Sequence, residues 1–267
     1  IDANRMFMAA CIFGVLAIAC YIGCFKLSLE RIEVPTKEVE KGAFLRSMKS
    51  LATNKPFIWV LTASLLAMLV QYLLTTVNIY LFKDYFGSTS ALSMVGAIQM
   101  VAMFVCLPLV KPLVAKFGKK ETALIGMSIT TIVYTVLFFL KDLSAMQFVG
   151  IVAVGTFSMY LYNFVTWAFI TDVTDYHEYK TSVREDATVY GIIAMARKVG
   201  LALAGGIGGV AIAAVGYDAT LQTQTPEVLN GIYTLGTLVP AILYGLVVLV
   251  LFMYPLNKKK TAQLAED

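Results

Sequence analysis

The sequence predicts an all-α, polytopic membrane protein of about seven transmembrane helices. Three observations carry this. Hydrophobic residues make up 59% of the chain and charged residues 14%, against roughly 45–50% and about 25% in an ordinary soluble domain. The apolar residues fall in runs of about 20, the length a bilayer core demands of a helix. No segment alternates apolar and polar residues for long, as the short strands of a membrane barrel must. Within lipid a lone segment satisfies its own backbone polar groups only as a helix.

In chain order the spans cover residues 6–25, 57–82, 91–114, 122–140, 144–171, 191–215 and 231–254. Lysine and arginine in the connections set the orientation. Residues 26–56 carry Lys26, Arg31, Lys37, Lys41, Arg46, Lys49 and Lys55, whereas the next connection has only Lys83 beside Asp84. Lys111, Lys116, Lys119 and Lys120 follow, then a lone Lys141, then Lys180 and Arg184. Residues 216–230 hold no basic residue, and the tail holds Lys258, Lys259 and Lys260. Rich and poor connections alternate. The expectation is a multi-pass protein of the cell (inner) membrane, with its tail and long first loop cytoplasmic and its N-terminus outside.

This arrangement divides the chain into a first helix (1–25), a cytoplasmic loop (26–56), a six-helix bundle (57–257) and a cytoplasmic tail (258–267). The loop mixes both signs of charge and contains a short amphipathic stretch, 44–51, as a tether between two halves would. Twelve-helix proteins made of two six-helix halves keep both termini and the central loop inside. Without its first five helices such a protein begins outside, crosses once, enters a long loop and ends with six helices. The chain, which starts at Ile1 with no cleavable signal before its first apolar run, is therefore expected to begin partway through a longer protein.

The net charge of +4 is small and gives no reason to expect nucleic acid as a partner. Cys11, Cys20, Cys24 and Cys106 lie in apolar runs without a CxxC pair and read as packing residues. No zinc site, metal site or cofactor is expected. His177–Glu178 does not continue into H-E-x-x-H.

Polar groups inside a span are costly unless they are partnered or face water, so they mark the bundle interior. In the second span Gln71, Thr75 and Asn78 recur on one face, with Tyr72 and Thr76 alongside. They read either as a cavity lining or as helix–helix hydrogen bonding. In the fifth span Thr156, Tyr160, Asn163 and Trp167 form one stripe at helical spacing. Rings beside amides and hydroxyls suit a sugar, whose C–H face stacks while its hydroxyls take polar contacts. Trp167 alone would also fit an interfacial aromatic belt. In the sixth span Arg197 is read as snorkelling to the surface. Lys198 shares a face with Ala194, Ala202, Gly205 and Gly209, a small-residue face expected to turn toward protein. Lys198 should then meet a polar cavity or a carboxylate, and no span here contains an acid. The segment 171–186, T-D-V-T-D-Y-H-E-Y-K-T-S-V-R-E-D, connects the fifth and sixth spans; Asp172 and Asp175, three apart, can face one side of a continuing helix and pair across the cytoplasmic mouth.

These residues carry a family resemblance. W-A-F-I-T-D-V-T-D-Y-H-E-Y-K-T-S-V-R, from Trp167 to Arg184, resembles the signature of the glycoside–pentoside–hexuronide:cation symporters, D-x-x-D/E-Y-G-E-W/Y-K-T-G-x-R. V-Y-G-I-I-A-M-A-R-K-V-G-L-A-L-A-G-G, from Val189 to Gly206, is similar to that family's next helix. N-K-P-F (Asn54 to Phe57) and K-F-G-K-K (Lys116 to Lys120) resemble its seventh-helix entry and its basic turn between helices eight and nine. The resemblance spans essentially the whole chain. It implies the C-terminal half of a major facilitator fold plus the preceding helix, and transport of a sugar or glycoside with a cation. By resemblance Asp172, Asp175 and Arg184 join the cytoplasmic gate. Lys198 and Trp167 lie at or near the central cavity, with Lys198 meeting acids of an N-terminal helical bundle. The coupling cation, Na⁺ or H⁺, binds mainly in that bundle. The sequence departs at His177, where glycine is usual. Ile193 and Ala194 are apolar where melibiose-permease-like members are polar, so a galactoside is not implied.

Three other readings fit less well. A retinal protein needs a lysine within its last span and a buried counter-ion, and neither is present. An intramembrane enzyme needs paired acids, Ser–His or a metal cluster within the membrane. A drug or peptide exporter of the same fold would leave the acid-rich segment unexplained.

Overall fold

The computed structural model describes residues 3–28, 43–256, 258 and 260. The reading of residues 29–42 as loop, and most of the tail, lie outside the described residues. The chain divides into two compact units, 1–43 and 44–267. The first holds α1 (Ala3–Leu27), whose large apolar side chains, Phe7, Phe13 and Phe25 among them, are exposed.

The second unit holds the short α2 (Ala43–Ala52) and six long helices: α3 (Lys55–Tyr80), α4 (Thr89–Phe117), α5 (Lys119–Phe139), α6 (Ala145–Thr181), α7 (Asp186–Ala214) and α8 (Pro226–Met253). With α1, seven helices are long and apolar enough to cross a membrane. Among the described residues there is no strand. The chain is thus a multi-pass membrane protein.

Local chemistry fixes the helix starts. Asn54 caps α3 by accepting from the Phe57 N–H at 3.2 Å, with Pro56 in the first turn, where its missing N–H costs nothing. Ser144 and Gln147 form a reciprocal capping box on α6, satisfying two of the otherwise orphaned donors. Gly118, at φ 103°, makes the α4–α5 turn, a backbone conformation that side-chain-bearing residues avoid.

Extensive packing runs from α7 to α3, α8, α5, α6 and α4, while α6 meets α3 and α7 sparsely. Two seams depend on glycine. A Cβ on Gly126 of α5 would stand 2.5 Å from the Ser158 carbonyl oxygen, and one on Gly200 of α7 would stand 2.8 Å from that of Leu65. Such close approach lets helices gain dispersion contacts where no hydrophobic effect drives them together.

Two expected features change. The acid-rich segment is largely helix, because α6 continues unbroken to Thr181, and the connection shrinks to 182–185. Helix α7 begins at Asp186 rather than near residue 191. Charged residues ended the apolar runs but not the helices, since a helix continues past the lipid while its backbone bonds and side-chain pairs persist.

One end of the bundle is closed by rings. A π-helical turn, Leu81–Tyr85, extends α3 into a cluster of Phe82, Tyr85, Phe86, Phe148 and Tyr233. The Tyr233 hydroxyl donates to the Leu137 and Leu140 carbonyls at 2.7 and 2.6 Å, satisfying acceptors at the end of α5.

Candidate substrate cavity and charged end

Toward the ring-closed end lies a cavity of about 190 Å³ between α3, α4, α5, α6 and α8. Gln71, Thr75 and Asn78 of α3, Gln99 of α4, Thr130 of α5 and Thr156 of α6 supply its polar lining, with Tyr134, Met159 and Tyr244 among the rest. No charged side chain lines it. A neutral surface of amides, hydroxyls and rings can exchange hydrogen bonds with a polyhydroxylated molecule and offer apolar area to its C–H face. Thr130 is already committed, donating to Gly126 and Gly155 carbonyls at 2.9 and 3.1 Å. Gln99 was missed in the sequence because it stands alone in its helix, whereas Gln71, Thr75 and Asn78 announced themselves by spacing.

The aromatic stripe divides. Thr156 is in the cavity, whereas Tyr160 and Asn163 are half-buried outside its lining. Trp167 is 50% exposed. Its ring stacks on Tyr190 at 6.4 Å with planes 16° apart, and the Arg197 guanidinium stands 5.4 Å over it.

Within this chain helix α7 packs through a different face. Its packed face is Ile193, Ala196, Gly200, Ala204, Gly208 and Ile212, because Gly200 and Gly208 fit against Leu65 and Thr76 of α3. The face of Ala194, Lys198, Ala202, Gly205 and Gly209 is exposed within this chain. Lys198 is therefore outside the cavity lining and has no partner among the described residues. Arg197, expected to snorkel, is instead half-buried against Trp167.

The opposite end of the bundle is densely paired. Asp172, 8% exposed, forms an ion pair with Lys119 at the start of α5. Lys120 donates to the Phe252 and Tyr254 carbonyls, and Lys258 donates to that of Ala115 at 2.7 Å, placing cations on helix C-termini where the dipole favours them. Arg184 Nη1 reaches Glu178 at 2.7 Å and Asp175 at 3.3 Å, while its Nε and Nη2 grip Asp186 at 2.7 and 3.1 Å. Hydrogen bonds from Asp186 and Glu178 raise the Arg184 pKa above its ordinary value. Asp172 and Arg184, expected in one gate, thus belong to separate pairings, and of the two expected gate acids Asp175 alone joins Arg184.

His177 is buried, and its Nε2 lies 3.4 Å from Glu185. Its Nδ1 lies 3.5 Å from the Asn54 amide nitrogen. Because the Asn54 oxygen caps α3, its NH₂ faces the ring and can donate to Nδ1. Ser47 of α2 also donates to Glu185. The residue that departs from the family pattern therefore links the α2–α3 corner to the α6–α7 turn. Nothing in local spacing signals this contact, which joins positions 123 residues apart.

A family model described as MFS/sugar transport protein matches residues 1–258. The chain belongs to that family. An uncharacterised symporter of Bacillus subtilis is 26% identical over 96% of this chain and 56% of its own length. A glucuronide carrier protein homolog of Escherichia coli is 29% identical over 95% of this chain and 55% of its own. An isoprimeverose transporter of Lactiplantibacillus pentosus is 28% identical over 99% and 55%. The chain spans about half the length of the curated relatives it matches. These are transport proteins rather than enzymes, and their kinship agrees with the symporter resemblance carried by the signature around Asp172.

Proposed function

We propose that the protein containing this chain is a secondary active transporter that moves a sugar, glycoside or hexuronide with a cation, Na⁺ or H⁺, by alternating access. The supporting observation is the uncharged cavity that gathers Gln71, Asn78 and Gln99 inside a six-helix bundle of the sugar-transport family. Alternating access needs a second bundle rocking against this one about a shared site. The exposed face of α7 with Lys198, and the stripe from Tyr160 to Trp167, are suited to that shared site. An N-terminal bundle is the partner, and it supplies carboxylates to Lys198 and most of the cation site. The paired end carrying Asp172, Asp175 and Arg184 is the cytoplasmic gate, the tail is cytoplasmic, and the start of α1 lies outside.

The test is uptake of labelled glycosides by proteoliposomes holding the complete natural protein. Gln71→Ala and Asn78→Ala each lower uptake about tenfold, as expected when a hydrogen bond worth about 1–1.5 kcal/mol is removed. Lys198→Ala abolishes cation-driven accumulation while membrane insertion is unchanged. The 267-residue chain alone accumulates nothing. Uptake unaffected by all three substitutions would remove both the cavity and Lys198 from the transport site.

A further inference from the structure

We infer that His177 is a proton-operated clasp, which holds the α2–α3 corner on the α6–α7 turn while its ring is neutral and releases the corner when the ring is charged. The inference concerns contacts buried inside this chain and does not depend on the substrate.

His177 projects from the last turns of α6 to where α2, α3 and the α6–α7 turn meet, and it is buried there. Asn54, at the start of α3, is buried as well, and its amide nitrogen lies 3.5 Å from Nδ1. Glu185, in the turn before α7, lies 3.4 Å from Nε2 and accepts a hydrogen bond from Ser47 of α2. Glycine, usual at this position in the family pattern, has no side chain to make these contacts.

The two ring contacts answer a proton differently. Glu185 belongs to the same stretch of chain as His177, so that contact survives whether or not the corner is docked. Asn54 belongs to the corner itself, and its contact exists only in the docked state. A neutral ring has a nitrogen that accepts, whereas imidazolium has two donors and no acceptor. The Asn54 oxygen is already used, accepting from the Phe57 N–H at 3.2 Å, so the NH₂ is what the ring meets. On a charged ring two donors face each other. Asn54 can relieve this by turning its oxygen to the ring, which uncaps α3, or the corner can move away. A proton is thus opposed by the docked state and not by the undocked one, and acid shifts the population toward release.

The other charges nearby are accounted for. Asp175, Glu178 and Asp186 are gathered by Arg184. Arg46 and Lys49 of α2, Lys55 of α3, and Tyr179 and Lys180 of α6 are exposed. Among the described residues Glu185 alone stands within ion-pair distance of the ring. Imidazole changes charge between about pH 5 and 8, so the charged end of the bundle senses the pH of the compartment it faces.

The test is amide hydrogen exchange, read by mass spectrometry on the complete natural protein in nanodiscs and corrected at each pH for the intrinsic exchange rate. Peptides covering residues 43–58 should exchange at least about fivefold faster at about pH 5 than at about pH 8. His177→Gln, whose side chain accepts and donates without charge, should remove the pH response and keep the protection throughout. Asn54→Asp caps α3 equally well but offers the ring a carboxylate, so the response should reverse, with acid slowing exchange. Glu185→Gln should leave the direction of the wild-type response unchanged. Exchange that does not vary with pH in the wild type, or that varies alike in wild type and Asn54→Asp, would overturn the inference. Loss of the response in Glu185→Gln would place the switch at the ion pair and overturn it too.

Discussion

The two ends of the second unit treat polar groups in opposite ways. At the charged end Asp172, Arg184, His177 and Lys120 each meet groups of the same chain. In the cavity the side chains of Gln71, Asn78 and Gln99, and on α7 those of half-buried Arg197 and exposed Lys198, make no hydrogen bond among the described residues. The contrast separates structure from task. Polar groups satisfied inside the chain hold helices together, and those left open in a spanning region await something else.

That contrast can be broken by one series of unfolding measurements on the purified protein in detergent. Asp172→Ala should cost most, about 2 kcal/mol. Losing one partner of a buried pair costs about 3–5 kcal/mol, discounted because Lys119 is 33% exposed. His177→Ala should follow at about 1–2 kcal/mol, since it leaves the buried Asn54 NH₂ without its acceptor. Arg184→Gln should cost under about 1 kcal/mol despite three carboxylate contacts, because all of them are about half exposed and exposed pairs contribute little. High salt should shrink this loss further. Gln71→Ala and Asn78→Ala should be smallest, within about 0.5 kcal/mol, since both side chains are only half-buried and make no hydrogen bond among the described residues. A cavity variant more destabilising than Asp172→Ala would end the division between a structural end and an open one.

Much of this organisation was legible in the sequence. Seven apolar runs gave seven helices, and the recurrence of Gln71, Thr75 and Asn78 marked one polar face of α3, which lines the cavity. The signature from Trp167 to Arg184 pointed to the family. Three things were not legible. Asp172 and Asp175 read as one side of a continuing helix, but its reach to Thr181 did not show, because hydropathy marks where lipid ends and not where a helix does. The K-F-G-K-K turn read as a topological marker, yet Lys119 is the partner of Asp172, 53 residues away. The face of α7 that packs within this chain, through Gly200 and Gly208, did not show, since only the small residues beside Lys198 stood out.

What the sequence determined alone was residence in a membrane, the number of spans and the family. The solvent acts on each segment separately, and about 20 consecutive side chains suffice to meet it. Tertiary structure decided which way each helix is turned. Arg197 and Lys198 are adjacent in sequence and alike in charge, yet one lies against a tryptophan and the other stands exposed. Which of them turns inward is set by where Gly200 lets α7 approach the backbone of α3, a contact between helices that no reading of α7 by itself contains.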